Sequence, residues 1–225
     1  MSRRAAKDAL FDALAGAARA LGSGRRAEII DVLTQGERSV EEIAGEVGQS
    51  VANTSHHLRT LAHAGLVATR RDGTRIHYRL AGERVAELWV LLREVSAEHV
   101  AGMEALAEAY LGDRSGLRTV DRAELARMVE QGDVVVLDVR PSAEYAAGHI
   151  PGARSVPPDE RDRHLRALPE DAEVVAYCRG PYCVYADDAV RALARSGRRA
   201  RRLEDGFPEW KRAGLPVAAG EGRRT

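Results

Sequence analysis

At 225 residues the chain can hold two modest domains, and 44% hydrophobic against 30% charged residues is the balance of an ordinary globular protein. Its 34 basic residues are matched by 34 acidic ones, so a nucleic-acid-binding face has to be local rather than a property of the whole molecule. No apolar run approaches a membrane span, and Met1-Ser2-Arg3-Arg4 is not followed by the apolar stretch of a secretory leader, so a cytoplasmic protein with no membrane partner is expected. In chain order, Leu10, Leu14 and Leu21 fall at helical spacing in an Ala-rich segment ending at Gly22-Ser23-Gly24. Ile29, Ile30, Val32 and Leu33 form the apolar stripe of a second helix, closed by Gly36. Ser39 with Glu42 reads as a capping box for a third helix burying Val40, Ile43 and Val47. Ser50 or Asn53 caps a fourth, whose inner face carries Leu58 and Leu61.

After Gly65 the period changes. Residues 66–80 alternate on either side of Asp72-Gly73, a hairpin signal with a turn dipeptide suited to positive φ. A long helix with Val85, Leu88, Leu91, Leu92 and Val95 on one side is expected to continue as far as Leu111, and Gly112 to Gly116 reads as a linker. The second half alternates β-branched runs, Val134 to Leu137 and Val174 to Tyr177, with helical stretches such as Ala123–Glu130 and Val184–Arg195. That order predicts an α/β unit with a parallel sheet, whose ligands bind beyond the carboxyl ends of the strands, where Cys178 falls.

Two helices, a tight turn and a hairpin make a winged helix-turn-helix, in which the second helix of the pair enters the major groove. That helix offers Ser50, Asn53, Thr54, Ser55, His56, His57 and Arg59 to base edges. The wing adds Arg70, Arg71 and Arg75 against a single acid, Asp72, a local excess suited to phosphates. The segments Ala27-Glu28-Ile29-Ile30, Val40-Glu41-Glu42-Ile43-Ala44, Ser55-His56-His57-Leu58-Arg59-Thr60-Leu61, Ala64-Gly65-Leu66-Val67 and Arg75-Ile76-His77-Tyr78-Arg79-Leu80 resemble the ArsR-type winged-helix repressors over roughly residues 5 to 111. The resemblance implies double-stranded operator DNA as a partner and a homodimer joined through the first and last helices of the domain, pairing Leu10 and Leu14 with Trp89, Leu92 and Val95. It also raises metal sensing. The first half has no cysteine, however, and His99 with Glu94, Glu98 and Glu104 lacks the paired-histidine spacing of the family's metal sensors, so neither a metal nor a cofactor is expected.

The two cysteines of the chain, Cys178 and Cys183, have four residues between them, a spacing that reads as redox chemistry in a reducing compartment. Between a buried strand and a helix start, the loop Arg179-Gly180-Pro181-Tyr182 can turn backbone N–H groups inward, and the helix terminus adds positive potential. Both favour a thiolate at Cys178, and Arg179 is expected to add to them. Asp138-Val139-Arg140, Glu144-Tyr145, Gly148-His149-Ile150-Pro151-Gly152-Ala153 and Leu203 to Trp210 resemble the rhodanese (sulfurtransferase) family over about residues 117 to 217. By that resemblance Cys178 accepts sulfur from a sulfane-sulfur donor such as thiosulfate, a persulfide or a polysulfide, residues 178 to 183 form the active-site loop, and Asp138 and Arg140 brace it. Phosphatases on the same scaffold need one more loop residue and an arginine six positions after the nucleophile, where this chain has Val184. Cys183 has two readings: a resolving thiol that attacks a persulfide on Cys178, or a small residue packed under the loop.

The expected architecture is therefore a mainly-α winged helix-turn-helix DNA-binding and dimerisation domain over residues 1–112, followed by an α/β rhodanese-like domain with a parallel sheet over 117–220. The leading functional expectation is a transcriptional regulator, a repressor by the family resemblance, that senses or handles reactive sulfur through Cys178. The alternative is a sulfurtransferase with an autoregulatory DNA-binding domain, and a third reading makes the second domain a docking scaffold.

Overall fold

The computed structural model describes residues 1–220 and divides into two compact units, the first ending at Glu94 and the second beginning at Val95. Helix α1 (Arg3–Leu21) leads to α2 (Gly24–Thr34), the two-residue strand β1 (Arg38–Ser39), α3 (Val40–Glu46) and α4 (Val51–His63). The wing is β2 (Val67–Asp72) and β3 (Arg75–Leu80), and α5 (Glu83–His99) follows. The three strands form an antiparallel sheet in the order β1-β3-β2. Its core gathers Ile29, Ile30, Leu33, Ile43, Leu58, Leu61 and Tyr78, the apolar stripes that the helical spacing picks out.

Two local details differ from the sequence expectation, and one alternative it left open is settled. Asp72 pairs with Arg75, so the hairpin turn is Gly73-Thr74, and Gly73 alone takes positive φ, +59°. Ser50, not Asn53, caps α4, its hydroxyl accepting the Asn53 N–H at 3.2 Å. The helix expected to run to Leu111 breaks after His99 and resumes as α6 (Met103–Leu111), with Gly102 left-handed at the break. β1 is too short for periodicity to find; it exists because Arg38 and Ser39 pair with Tyr78 and His77, far along the chain.

The predicted capping box at α3 is complete: Ser39 Oγ accepts the Glu42 N–H at 3.3 Å, and a Glu42 carboxylate oxygen accepts the Ser39 N–H at 2.7 Å. Ser39→Ala is expected to cost about 1 kcal/mol of first-unit stability, read as a lower urea midpoint at neutral pH. The backbone bond from Ser39 leads the effects that hold the Glu42 carboxyl below the usual glutamate range, against opposing burial. Because that folded value is lowered, the glutamate's share is present above the unfolded value and disappears as pH falls through the folded one.

The second unit continues with β4 (Thr119–Val120), α7 (Arg122–Gln131), β5 (Val135–Asp138), α8 (Ser142–Ala147), β6 (Arg154–Ser155) and α9 (Arg161–Arg166). It closes with β7 (Val174–Tyr177), α10 (Val184–Arg195), β8 (Ala200–Leu203) and α11 (Phe207–Arg212). All strand pairs are parallel, in the order β4-β8-β7-β5-β6, which puts β7 in the middle. Every residue of β7 is buried, as a strand covered on both faces requires. One face packs Leu165, Ala186, Val190 and Leu193; the other packs Tyr145, Ile150, Phe207 and Trp210. Among the described residues no helix is long and apolar enough to cross a membrane.

Candidate functional site

The candidate reading head in the first unit is α4. Asn53, His56 and Arg59 are exposed, Ser50 is spent on the cap, and Ser55 is half-buried. Thr54, expected at base edges, is fully buried, so it faces the core and not DNA. The sequence did carry that signal: Thr54 lies four and seven residues before Leu58 and Leu61, on their face of the helix. His57 is also partly turned inward, and burial first, then the nearby Arg26, pulls its pKa down.

In the wing, Arg71 and Arg75 are exposed, and Arg71 donates to the Gly73 carbonyl at 3.1 Å. Arg70 is not the surplus cation expected of it. Its guanidinium grips Glu37 at 2.6 Å and meets Asp72 at 3.3 Å, and the bond from Arg70 leads the causes that lower the Glu37 pKa. Glu37 lies 33 residues away, so the sequence offered only Asp72 as a counter-charge.

The candidate sulfur site follows the carboxyl end of β7. Cys178 is 1% exposed and is disulfide-bonded to Cys183, the N-cap residue of α10, with their Cα atoms 6.2 Å apart. The intervening loop closes on itself through the Cys183 N–H, which donates to the Gly180 carbonyl at 3.1 Å. Pro181 and Tyr182 are half-buried on it, and Gly180 is buried. Arg179, expected to lend its charge to the sulfur, is instead committed to the buried Glu144 on α8, its Nη2 standing 2.6 Å from that carboxylate. Its positive charge is matched there, so it ties the loop to α8.

Beneath the loop, Asp138 and Arg140 form a wholly buried ion pair at 2.5 Å. Arg140 also donates to the Gly148 carbonyl at 2.6 Å and lies 4.2 Å from the Phe207 ring centroid. Burial alone would lower its pKa, but the bonds and charge of Asp138 outweigh that and raise it. Tyr177 donates its hydroxyl to Asp138, and burial, with the Asp138 charge second, pushes its pKa well up. A second backbone contact comes from the far end of the chain: the Phe207 N–H donates to the Cys178 carbonyl at 3.0 Å.

One grouping near the loop has no local signature in the sequence. Asp187, in the first turn of α10, is fully buried, with Arg114 at 2.5 Å and Arg202 at 3.2 Å. Burial first, then the charge of Arg114, lowers the Arg202 pKa. Arg114 belongs to the segment that reads from sequence as a linker, 73 residues before its carboxylate partner.

A winged helix-turn-helix and a parallel-sheet domain with a cysteine loop after its central strand together define a DNA-binding regulator carrying a rhodanese-like domain. Comparison with known proteins agrees. The bacterial regulatory protein, arsR family, matches residues 23–69, and the rhodanese-like domain matches residues 121–213. The HTH-type transcriptional regulator Rv0324 of Mycobacterium tuberculosis is 48% identical over 214 residues, covering 95% of this chain and 94% of its own. The chain belongs to the ArsR-family transcriptional regulators, in the form that carries a rhodanese-like domain. A sulfurtransferase of Allochromatium vinosum is 36% identical over 97 residues, 43% of this chain and 89% of that protein. Among solved structures, the homodimeric winged helix-turn-helix DNA-binding domain Mb0332 of Mycobacterium bovis is 47% identical. It covers 44% of this chain and 91% of its own, with a TM-score of 0.41.

Proposed function

We propose that this regulator is an operator-binding homodimer, a repressor, whose hold on DNA is changed by sulfane sulfur arriving at Cys178. The observation that carries the reading is the placement of Cys183 within bonding reach of Cys178 on one short loop. The Cys178 thiolate attacks the sulfane sulfur of a polysulfide or related donor, expelling the shortened donor as its thiolate and leaving a persulfide. The Cys183 thiolate then attacks the Cys178 sulfur and displaces hydrosulfide, and the pair ends as a disulfide. The donor is reduced by two electrons and the two cysteines are oxidised by two. Such a pair registers the donor without a metal or cofactor.

The dimer reading rests on apolar side chains left on the surface of the first unit. Leu10, Phe11 and Leu14 on α1 and Leu88, Leu91 and Leu92 on α5 are all exposed. Trp89, expected at that seam, is half-buried: it packs on the core of its own unit and donates to Asp31 at 2.7 Å. Asn53, His56 and Arg59 supply base readout, with Arg71 and Arg75 on phosphates.

The test is operator binding, by fluorescence anisotropy, of reduced protein, polysulfide-treated protein and treated Cys178→Ser, on DNA from the gene's own promoter. Treatment is expected to weaken binding at least tenfold, on the order of 1.4 kcal/mol, in the wild type alone. Equal binding by all three would overturn the sensing reading. A second reading, a sulfurtransferase with an autoregulatory DNA-binding domain, is favoured by the likeness to the Allochromatium vinosum protein. Sustained turnover of thiosulfate to a thiol acceptor with unchanged DNA binding would select it.

A further inference from the structure

The side chain of Arg114 makes three contacts, and two of them are on the cysteine loop. Its Nε donates to Asp187 at 2.5 Å, its Nη1 to the Pro181 carbonyl at 2.7 Å, and its Nη2 stands 3.4 Å from the Cys183 carbonyl. The planar fork of a guanidinium can serve three acceptors in fixed directions at once, which a lysine ammonium on its flexible stem cannot do in the same way. The segment presenting it is itself held: Asp113 accepts the Ser115 N–H at 2.8 Å, Leu117 N–H donates to the Arg114 carbonyl at 2.9 Å, and Arg191 donates to the Asp113 carbonyl at 2.8 Å.

Peptide planarity gives these contacts a chemical meaning. The chain has no cis peptide among its described residues, so in each unit the C=O and the following N–H point in opposite directions. Drawing the Pro181 and Cys183 carbonyls toward Arg114 therefore turns the N–H groups of Tyr182 and Val184 away from it, to the other side of the loop. Val184 is the first residue of α10, so its N–H is one of the donors that a helix start leaves without an intrahelical acceptor. Asp187, in the first turn of α10, takes both Arg114 and Arg202, so two cations share one buried acid. An anionic sulfur is stabilised by N–H groups turned toward it and by positive charge nearby.

We propose that Arg114, which lies outside the matched rhodanese-like segment, is a positioning residue for the cysteine loop: by holding the Pro181 and Cys183 carbonyls it aims the Tyr182 and Val184 N–H groups at the sulfur of Cys178. The proposal rests on the reading of Cys178 as the sulfur-accepting thiol. Arg114 touches neither sulfur nor donor, and it acts through the loop peptides.

The test uses the full chain with both cysteines reduced. Cys178 is alkylated with iodoacetamide across a pH series and its modification is read by mass spectrometry, for wild type, Arg114→Lys and Arg114→Gln. The lysine variant keeps a cation for Asp187 and so protects the fold, which circular dichroism checks. Both variants are expected to move the alkylation profile to higher pH, and a profile displaced by one pH unit means a reaction about tenfold slower on the acid side of both midpoints. A folded Arg114→Lys protein with the wild-type profile would overturn the proposal, whether or not the glutamine variant's profile moves, because charge alone would then suffice. This readout needs no DNA, so the profile can move even where operator binding ignores polysulfide; that result would defeat the sensing reading and leave the role of Arg114 standing.

Discussion

Exchanging Arg140 for methionine is expected to cost the second unit about 3–5 kcal/mol of stability, the range for removing one partner of a buried ion pair. The geometry places it at the upper part of that range. Asp138 and Arg140 are both 0% exposed, so the orphaned carboxylate has no water to turn to. It would keep the Tyr177 hydroxyl at 2.5 Å and the Arg140 backbone N–H at 3.0 Å, and these hydrogen bonds moderate the loss without supplying the missing charge. The Gly148 carbonyl would also lose its donor, and the Phe207 ring its cation. The measurement is urea unfolding followed by tryptophan fluorescence. The chain has 2 tryptophans, so a Trp89→Phe background leaves Trp210, 1% exposed in the second unit, as the reporter. Adding Asp138→Asn should recover part of the loss, because it removes the stranded charge. A cost under about 1 kcal/mol would mean that the pair is no more valuable than an exposed one.

The elements of this fold were legible wherever one segment's own pattern decides its structure. Val184–Arg195 was bounded correctly because its apolar residues repeat at helical spacing between a loop and Ser196-Gly197. The Ser39–Glu42 box was legible because both partners sit within one turn. The misses share a cause of the opposite kind. Glu37 neutralises Arg70, Glu144 claims Arg179 and Asp187 recruits Arg114 across separations of 33, 35 and 73 residues, and no local pattern points from one partner to the other. Thr54 is a different case: its residue type suits base edges, but its helical phase sets it on the buried face with Leu58 and Leu61. In the second unit the motif points to the cysteine loop, whereas which cations press on it, and from where, is a tertiary property.

Gly206→Ala is expected to slow sulfur acceptance at Cys178 on the order of a hundredfold, the penalty that ångström-scale misplacement of a reacting group can carry. The reason is space, not backbone freedom. Gly206 has φ −133° and ψ −173°, an extended conformation open to any residue. A β-carbon there would stand 2.5 Å from both the Gly180 Cα and the Arg179 carbonyl carbon. Those neighbours are main-chain atoms of the cysteine loop and cannot rotate aside. The loop could yield only by moving against its other anchors. Arg179 is tied to Glu144, the Pro181 carbonyl to Arg114, and the Cys178 carbonyl accepts the Phe207 N–H from the residue next to the substitution. Overpacking at such a point also costs stability, about 1–3 kcal/mol, so the rate has to be measured well below the unfolding midpoint. The readout is the rate at which polysulfide converts reduced Cys178, followed by mass spectrometry, against Gly45→Ala in α3 as control, where a β-carbon meets nothing within 4 Å. An unchanged rate in the Gly206 variant, with the control also unchanged, would show that the loop tolerates displacement. The chemistry would then depend on the cysteine pair itself and not on the rigid frame around it.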